Sequence, residues 1–215
     1  MSAIDQVPPS TELLKVTVGR LETGQPWTVD FRTIPHWINA GATQSGKSNL
    51  ANALIVGLAP QEVALVGFDL KGGVELTPYG PRLSALGTTR SECASLLDDL
   101  VALMTDRMGI CRMAGARNIW QLPPALRPVP VVVLVDELAE LYLMADKSEK
   151  EEVAKTSTSL LRVAQLGRAF GIYPVLLRPA HRLRSRPRSD RAAGAMLGPR
   201  LPPGQRSRDG HDDAR

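Results

Sequence analysis

The chain has 215 residues, 43% of them hydrophobic, which allows one well-buried domain with appendages, and one α/β domain is expected. Its net charge of +4 does not mark a nucleic-acid binder by bulk, because residues 178–215 hold ten arginines against four aspartates while residues 1–177 hold 16 basic against 18 acidic groups. Cys93 and Cys111 show no metal-ligand spacing and read as packing residues in a reducing, cytoplasmic setting. No apolar run is long enough to span a bilayer, and the polar N-terminus lacks the basic and apolar regions of a signal peptide.

In chain order, residues 1–10 read as a loose leader. Two alternating stretches, Leu13–Val18 and Trp27–Phe31, flank a turn at Glu22-Thr23-Gly24-Gln25 and predict a short β-hairpin. Trp37-Ile38-Asn39-Ala40 then ends a buried strand, with His36 as a turn residue before it. Gly41-Ala42-Thr43-Gln44-Ser45-Gly46-Lys47-Ser48 follows and fits the phosphate-binding pattern G-x-x-x-x-G-K-[ST] at every fixed position. Glycines let backbone N–H groups turn inward around phosphate, Lys47 adds a point charge, and the Ser48 hydroxyl suits Mg²⁺. Apolar residues at helical spacing from Asn49 to Leu58 predict a helix whose N-terminus faces that phosphate. The expected nucleotide-binding residues are therefore Gly41 to Ser48 together with Asn49.

Glu62 to Asp69 is a nearly continuous β-type run, followed by Leu70-Lys71-Gly72-Gly73. A strand end of this kind puts Asp69 and Lys71 either near a ligand crevice or in a surface ion pair beside a glycine turn. From Thr89 to Ala114 apolar residues recur at three- and four-residue steps, which predicts a long helix terminated near Gly115 or Asn118. Arg107, Arg112 and Arg117 read as cations beyond its apolar stripe. After a proline-rich connector, Val131-Val132-Val133-Leu134-Val135 predicts a central parallel strand covered on both faces and ending on Asp136-Glu137. This is a Walker B pattern, in which Asp136 holds the Mg²⁺ shell and Glu137 orients and deprotonates a water that attacks the γ-phosphate of ATP. Leu138–Met144 reads as a helix, Val153–Phe170 as another, and Gly171–Leu177 as a further buried strand. From Arg178 onward, Arg, Pro and Gly without apolar period predict disorder.

Five stretches in fixed order carry a family resemblance: Pro35-His36 leading to Gly41–Ser48, Asp69-Leu70-Lys71-Gly72-Gly73-Val74-Glu75-Leu76, Met113–Ile119, Val133–Leu141 and Gly167–Ile172. Over about Thr33 to Leu177 the chain resembles the motor domain of the FtsK/SpoIIIE family of ATP-driven double-stranded DNA translocases. Its Lys-Gly-Gly-Val-Glu-Leu stretch looks most like the Tra branch used by actinobacterial conjugative plasmids. The resemblance implies an α/β, RecA-like P-loop fold with a mainly parallel sheet flanked by helices, preceded by the short hairpin. It also implies ATP and Mg²⁺ as ligands, Lys47 and Glu137 as catalytic residues, and Ser48 and Asp136 as metal ligands. Double-stranded DNA as partner, a homo-hexameric ring and a membrane anchor on another polypeptide follow in the same way.

The expected divisions are residues 1–33 as leader and hairpin, 34–177 as an incomplete ATPase core and 178–215 as a disordered tail. Where the family carries an Ala-Thr-Gln-Arg-Pro-like segment, this chain reads Val175-Leu176-Leu177-Arg178-Pro179, without the glutamine. The loss of resemblance past Leu177, together with a swing to amino acids encoded by GC-rich codons, motivates the hypothesis of a frameshifted continuation of a longer motor gene. Finding no Gln-Arg-Pro motif in either other frame would sink it. Three functions follow in order: a DNA-translocating ATPase in chromosome or plasmid transfer, a nucleotide-binding remnant without motor activity, and a small-molecule P-loop kinase.

Overall fold

Five successive aliphatic side chains, Val131 to Val135, can be satisfied only by a strand with a protein layer on each face. The computed structural model, which describes residues 12–41, 46–143 and 149–179, puts them there. The described elements are β1 (Lys15–Arg20), β2 (Pro26–Asp30), β3 (Trp37–Gly41), α1 (Lys47–Leu58), β4 (Ala64–Asp69), β5 (Ala85–Gly87), α2 (Arg90–Met113), β6 (Val131–Asp136), α3 (Lys150–Leu166) and β7 (Ile172–Pro179). Strands β3 to β7 form one parallel sheet in the order β3-β7-β6-β4-β5, and β1 pairs with β2 as an antiparallel hairpin. The sheet matches the expected α/β class. The leader, the tail beyond Pro179 and the expected loop residues Ala42 to Ser45 lie outside the described residues.

Alternation along β6 distributes its side chains between two cores. Val132 and Leu134 face a cluster with Leu54, Ile55 and Leu58 of α1, while Val131, Val133 and Val135 face one with Leu97 and Met104 of α2 and Leu160 and Val163 of α3. Every residue of β6 is buried, and each of its aliphatic side chains, Val131 to Val135, contributes about 1.5–3 kcal/mol on leaving water. The hairpin belongs to the first core through Val16, Val29 and Phe31, and the Phe31 ring sits 6.0 Å from that of Tyr173. It approaches α1 so closely that a Cβ on Gly57 would collide with Val16.

Capping residues set the ends of α2. Thr89 accepts from the Glu92 N–H while the Glu92 carboxylate accepts from the Thr89 N–H, a capping box. The helix stops at Met113, just before the expected terminator Gly115, and Asn118 caps the following 3₁₀ turn Ile119–Gln121. Two expectations are corrected. The stretch after Glu137 is a 3₁₀ turn, Leu138–Tyr142, and α3 starts at Lys150 and gives way to a 3₁₀ turn over Gly167–Phe170.

Arg107 is the larger correction. It is only 4% exposed, and its guanidinium donates to the carbonyls of Phe170 at 2.7 Å and Val129 at 2.7 Å. Burial lowers its pKa, so the charge is held there by backbone oxygens. It ties α2 to the segments that precede β6 and β7, and it is not a solvated cation. Arg82 works similarly, giving hydrogen bonds to Leu58, Gln61 and Val63 carbonyls at the end of α1.

Candidate nucleotide site

All five strands of the sheet are parallel, so Gly41, Asp69 and Asp136, at the ends of β3, β4 and β6, share its C-terminal edge. Between β3 and β6 lies only β7, which puts their ends about 10 Å apart at ordinary strand spacing. The chain leaves β3 at Gly41 and re-enters regular structure at Gly46, whose φ of 87° and ψ of 14° lie in the left-handed region open to glycine. A Cβ there would meet nothing within 4 Å, so conformation and not crowding requires the glycine.

Lys47 and Ser48 open α1 and are half-buried, and Asn49 is exposed in the same turn. The Lys47 ammonium donates to the Gly41 carbonyl at 2.7 Å, bridging the two ends of the loop. The first-turn N–H groups of a helix lack partners within it, and this turn holds no acidic residue, so the helix end suits an anion. The residues present therefore fit a phosphate.

The other half of the edge is built by the turns after β4 and β6. Asp69 and Asp136 are paired in register on adjacent strands and are 0% and 5% exposed. Asp69 accepts from the backbone N–H groups of Lys71, Glu75 and Leu76 at 3.2, 2.8 and 2.8 Å, so its carboxylate shapes the glycine turn. Lys71 reaches across to the acids at the end of β6, with its ammonium 3.0 Å from Asp136 Oδ2 and 3.8 Å from Glu137 Oε2. Partial burial pulls the Lys71 pKa down, but the hydrogen bond and charge of Asp136, with Glu137 and Glu75, outweigh it and leave the pKa raised. Of the two readings open for this pair, Asp69 is a buried loop cap and Lys71 an ion-pair partner at the strand ends. A sequence signal existed: both follow a β run whose end must neighbour the end of Val131–Asp136 in a parallel sheet.

Glu137 has a φ of 60° and ψ of 65°, a left-handed conformation that a non-glycine residue adopts at a cost of about 1–3 kcal/mol. The turn directs its carboxylate back to the strand end, where Lys71 sits. Among the described residues no group of three His, Cys, Asp or Glu side chains could hold a metal by itself. The oxygens of Ser48 and Asp136 fit Mg²⁺ held by few protein ligands and completed by phosphate and water. Both cysteines are buried, and burial pushes the Cys93 thiol up to about 12, so neither is a nucleophile. No helix among the described residues is long and apolar enough to cross a membrane.

The FtsK/SpoIIIE family profile matches residues 6–123. The chain is 48% identical over 155 residues to a sporulation regulatory protein of Streptomyces azureus, covering 72% of this chain and 49% of that one. It is 44% identical over 181 residues to the transfer protein TraSA of Streptomyces ambofaciens, covering 78% and 44%. Among solved structures, the monomer form of the pCW3 conjugation coupling protein TcpA with ATPgS superposes with a TM-score of 0.71 at 25% identity, covering 83% of this chain and 54% of that one. The chain thus spans about half the length of these proteins. It belongs to the FtsK/SpoIIIE family.

Proposed function

We propose that this chain is the nucleotide-binding and ATP-hydrolysing part of a motor that moves double-stranded DNA in chromosome or conjugative plasmid transfer. The observation that carries the reading is the meeting of the α1 N-terminus with the Asp136-Glu137 strand end on one edge of a parallel sheet, in a chain of this family. In the proposed assignment Gly41 to Asn49 enclose the phosphates, with Lys47 countering charge on the β and γ oxygens. Ser48 and Asp136 would hold Mg²⁺, which when bound supplies charge neutralisation at the phosphates. Glu137 takes a proton from the water that attacks the γ-phosphorus; the bond to the β–γ bridging oxygen breaks, giving ADP and phosphate. In this reading residues 34–177 are the ATPase core, the working form is a hexamer around DNA, and any membrane anchor is on another polypeptide. DNA is gripped through its phosphates, so the coupling weakens with salt.

A second reading has one observation in its favour. Pro179 of β7 pairs with Gly41, and this stretch, Leu177-Arg178-Pro179, has no glutamine where the family carries one. The chain would then bind nucleotide without turnover. Steady-state ATP hydrolysis with and without linear duplex DNA, against Glu137→Gln as the blank, separates the two. DNA-stimulated turnover supports the motor; nucleotide binding without turnover supports the second reading; loss of neither binding nor turnover in Lys47→Ala removes the site assignment altogether.

A further inference from the structure

Asp136 is a buried residue, and a carboxylate taken out of water needs a counter-charge held against it. Lys71 supplies one, with its ammonium 3.0 Å from Asp136 Oδ2 and 3.8 Å from Glu137 Oε2. This cation comes from the turn after β4, 65 residues earlier in the chain, and not from the segment that leads into α1.

The two ends of Lys71 are held very differently. Its main chain is fixed, because the Asp69 carboxylate accepts from the N–H groups of Lys71, Glu75 and Leu76 and the Asp69 carbonyl accepts from that of Gly73. Gly72 and Gly73 follow in left-handed conformations, φ 75° and 79°, and a Cβ on Gly73 would collide with Thr77 Oγ1. The Lys71 side chain is 44% exposed, against 7% and 12% for those of Asp136 and Glu137, and its flexible four-carbon stem can swing while the turn stays in place. Glu75, at the end of the same turn, is near enough for its charge to act on the Lys71 ammonium. No ion pair engages Glu75 among the described residues, so the ammonium has a second anion to move toward.

An ammonium and a divalent cation on one carboxylate repel each other, and the divalent ion carries the larger charge. We propose that Lys71 is the resident counter-ion of the metal-binding carboxylate: its ammonium positions Asp136 before Mg²⁺ and nucleotide bind, then moves toward Glu75 as they do. This rests on the reading of Asp136 as a Mg²⁺ ligand. The same movement withdraws a positive charge from Glu137, the proposed base.

The test has two readouts on the full chain. The first is the gain in affinity for fluorescent N-methylanthraniloyl-ADP in Mg²⁺ over that in EDTA. Lys71→Met is expected to enlarge this gain at least about tenfold, Asp136→Asn to abolish it, and Glu75→Gln to reduce it only where Lys71 is present. A lysine that merely braces the fold would change affinity alike with and without the metal. The second readout is amine labelling of the parent chain followed by mass spectrometry, which needs no substitution and so does not depend on a variant folding. Mg²⁺ with ADP should speed labelling of Lys71 and leave Lys155, paired with Asp98, unchanged. An unchanged gain in Lys71→Met, or Lys71 labelling that Mg²⁺ and ADP do not speed, would overturn the proposal while leaving Asp136 its metal. No ADP binding by the parent chain, or a gain that survives Asp136→Asn, would remove the site reading itself and this inference with it.

Discussion

The turns after β4 and β6 start alike and end in different work. Each follows an apolar strand, each opens on an aspartate, and the two aspartates are register partners. Asp69 accepts from three backbone N–H groups of its own turn, while among the described residues Asp136 accepts from the Lys71 ammonium. Burial and strand position are therefore shared by an acid that shapes a turn and one that faces an ammonium. What separates the two is whether the acceptor capacity is consumed by the fold.

Substitutions at these turns sharpen or break that contrast. The largest effect is expected from Glu137→Gln, which should lower ATP turnover about 10²–10⁴-fold while nucleotide binding and the melting temperature hold. A parental hydrolysis rate in that variant would remove the proposed role. Asp69→Ala should do the reverse at first order, leaving buried N–H groups without acceptors at a cost of about 3 kcal/mol, or roughly 6–12 °C in Tm by thermal melt. If Asp136→Asn lowers Tm as much as Asp69→Ala does, the two turns are not different and the contrast fails.

Arg107→Met removes the donors to Val129 and Phe170 and should cost about 2–3 kcal/mol in urea unfolding, with nucleotide affinity unchanged. The smallest effect lies at the α2 cap, where Thr89→Ala should cost about 1 kcal/mol. Backbone N–H of Thr88, then that of Thr89, then the Thr88 hydroxyl hold the Glu92 carboxyl below the usual range. Its contribution is present above the unfolded pKa of about 4.3 and is lost as pH falls through the lower folded value. Glu92→Gln should flatten the stability profile below about pH 4.3, measured by urea midpoints, and an unchanged slope would exclude the cap as its source.

The sheet could be read from the chain because a covered parallel strand must be apolar throughout, as Val131–Val135 is, and because Gly41–Ser48 joins a strand to a helix in a fixed pattern. The strand β5, with three residues, has no period to read. Arg107 could have been placed: Cys93, Leu97, Leu100, Met104, Arg107 and Cys111 repeat at steps of four and three, so it falls on the buried stripe of α2. Its partners, the carbonyls of Val129 and Phe170, are 22 and 63 residues away and leave no local mark. Asp69 differs, because its partners are main-chain N–H groups of its own turn, which no side chain in the sequence marks.

The strand that leads into the Gly41–Ser48 segment, β3, is outermost in the sheet among the described residues and is bonded along one side only, to β7. Its side chains are mostly half-buried, so its amides should exchange with solvent through local opening well before those of β6. A ligand seated at Gly41 would oppose that opening by mass action, with about 2.7 kcal/mol of protection at a hundredfold excess over its dissociation constant. Occupancy of the loop would then be written into the stiffness of one sheet margin, and the strand would behave as a reporter that tightens whenever nucleotide is bound.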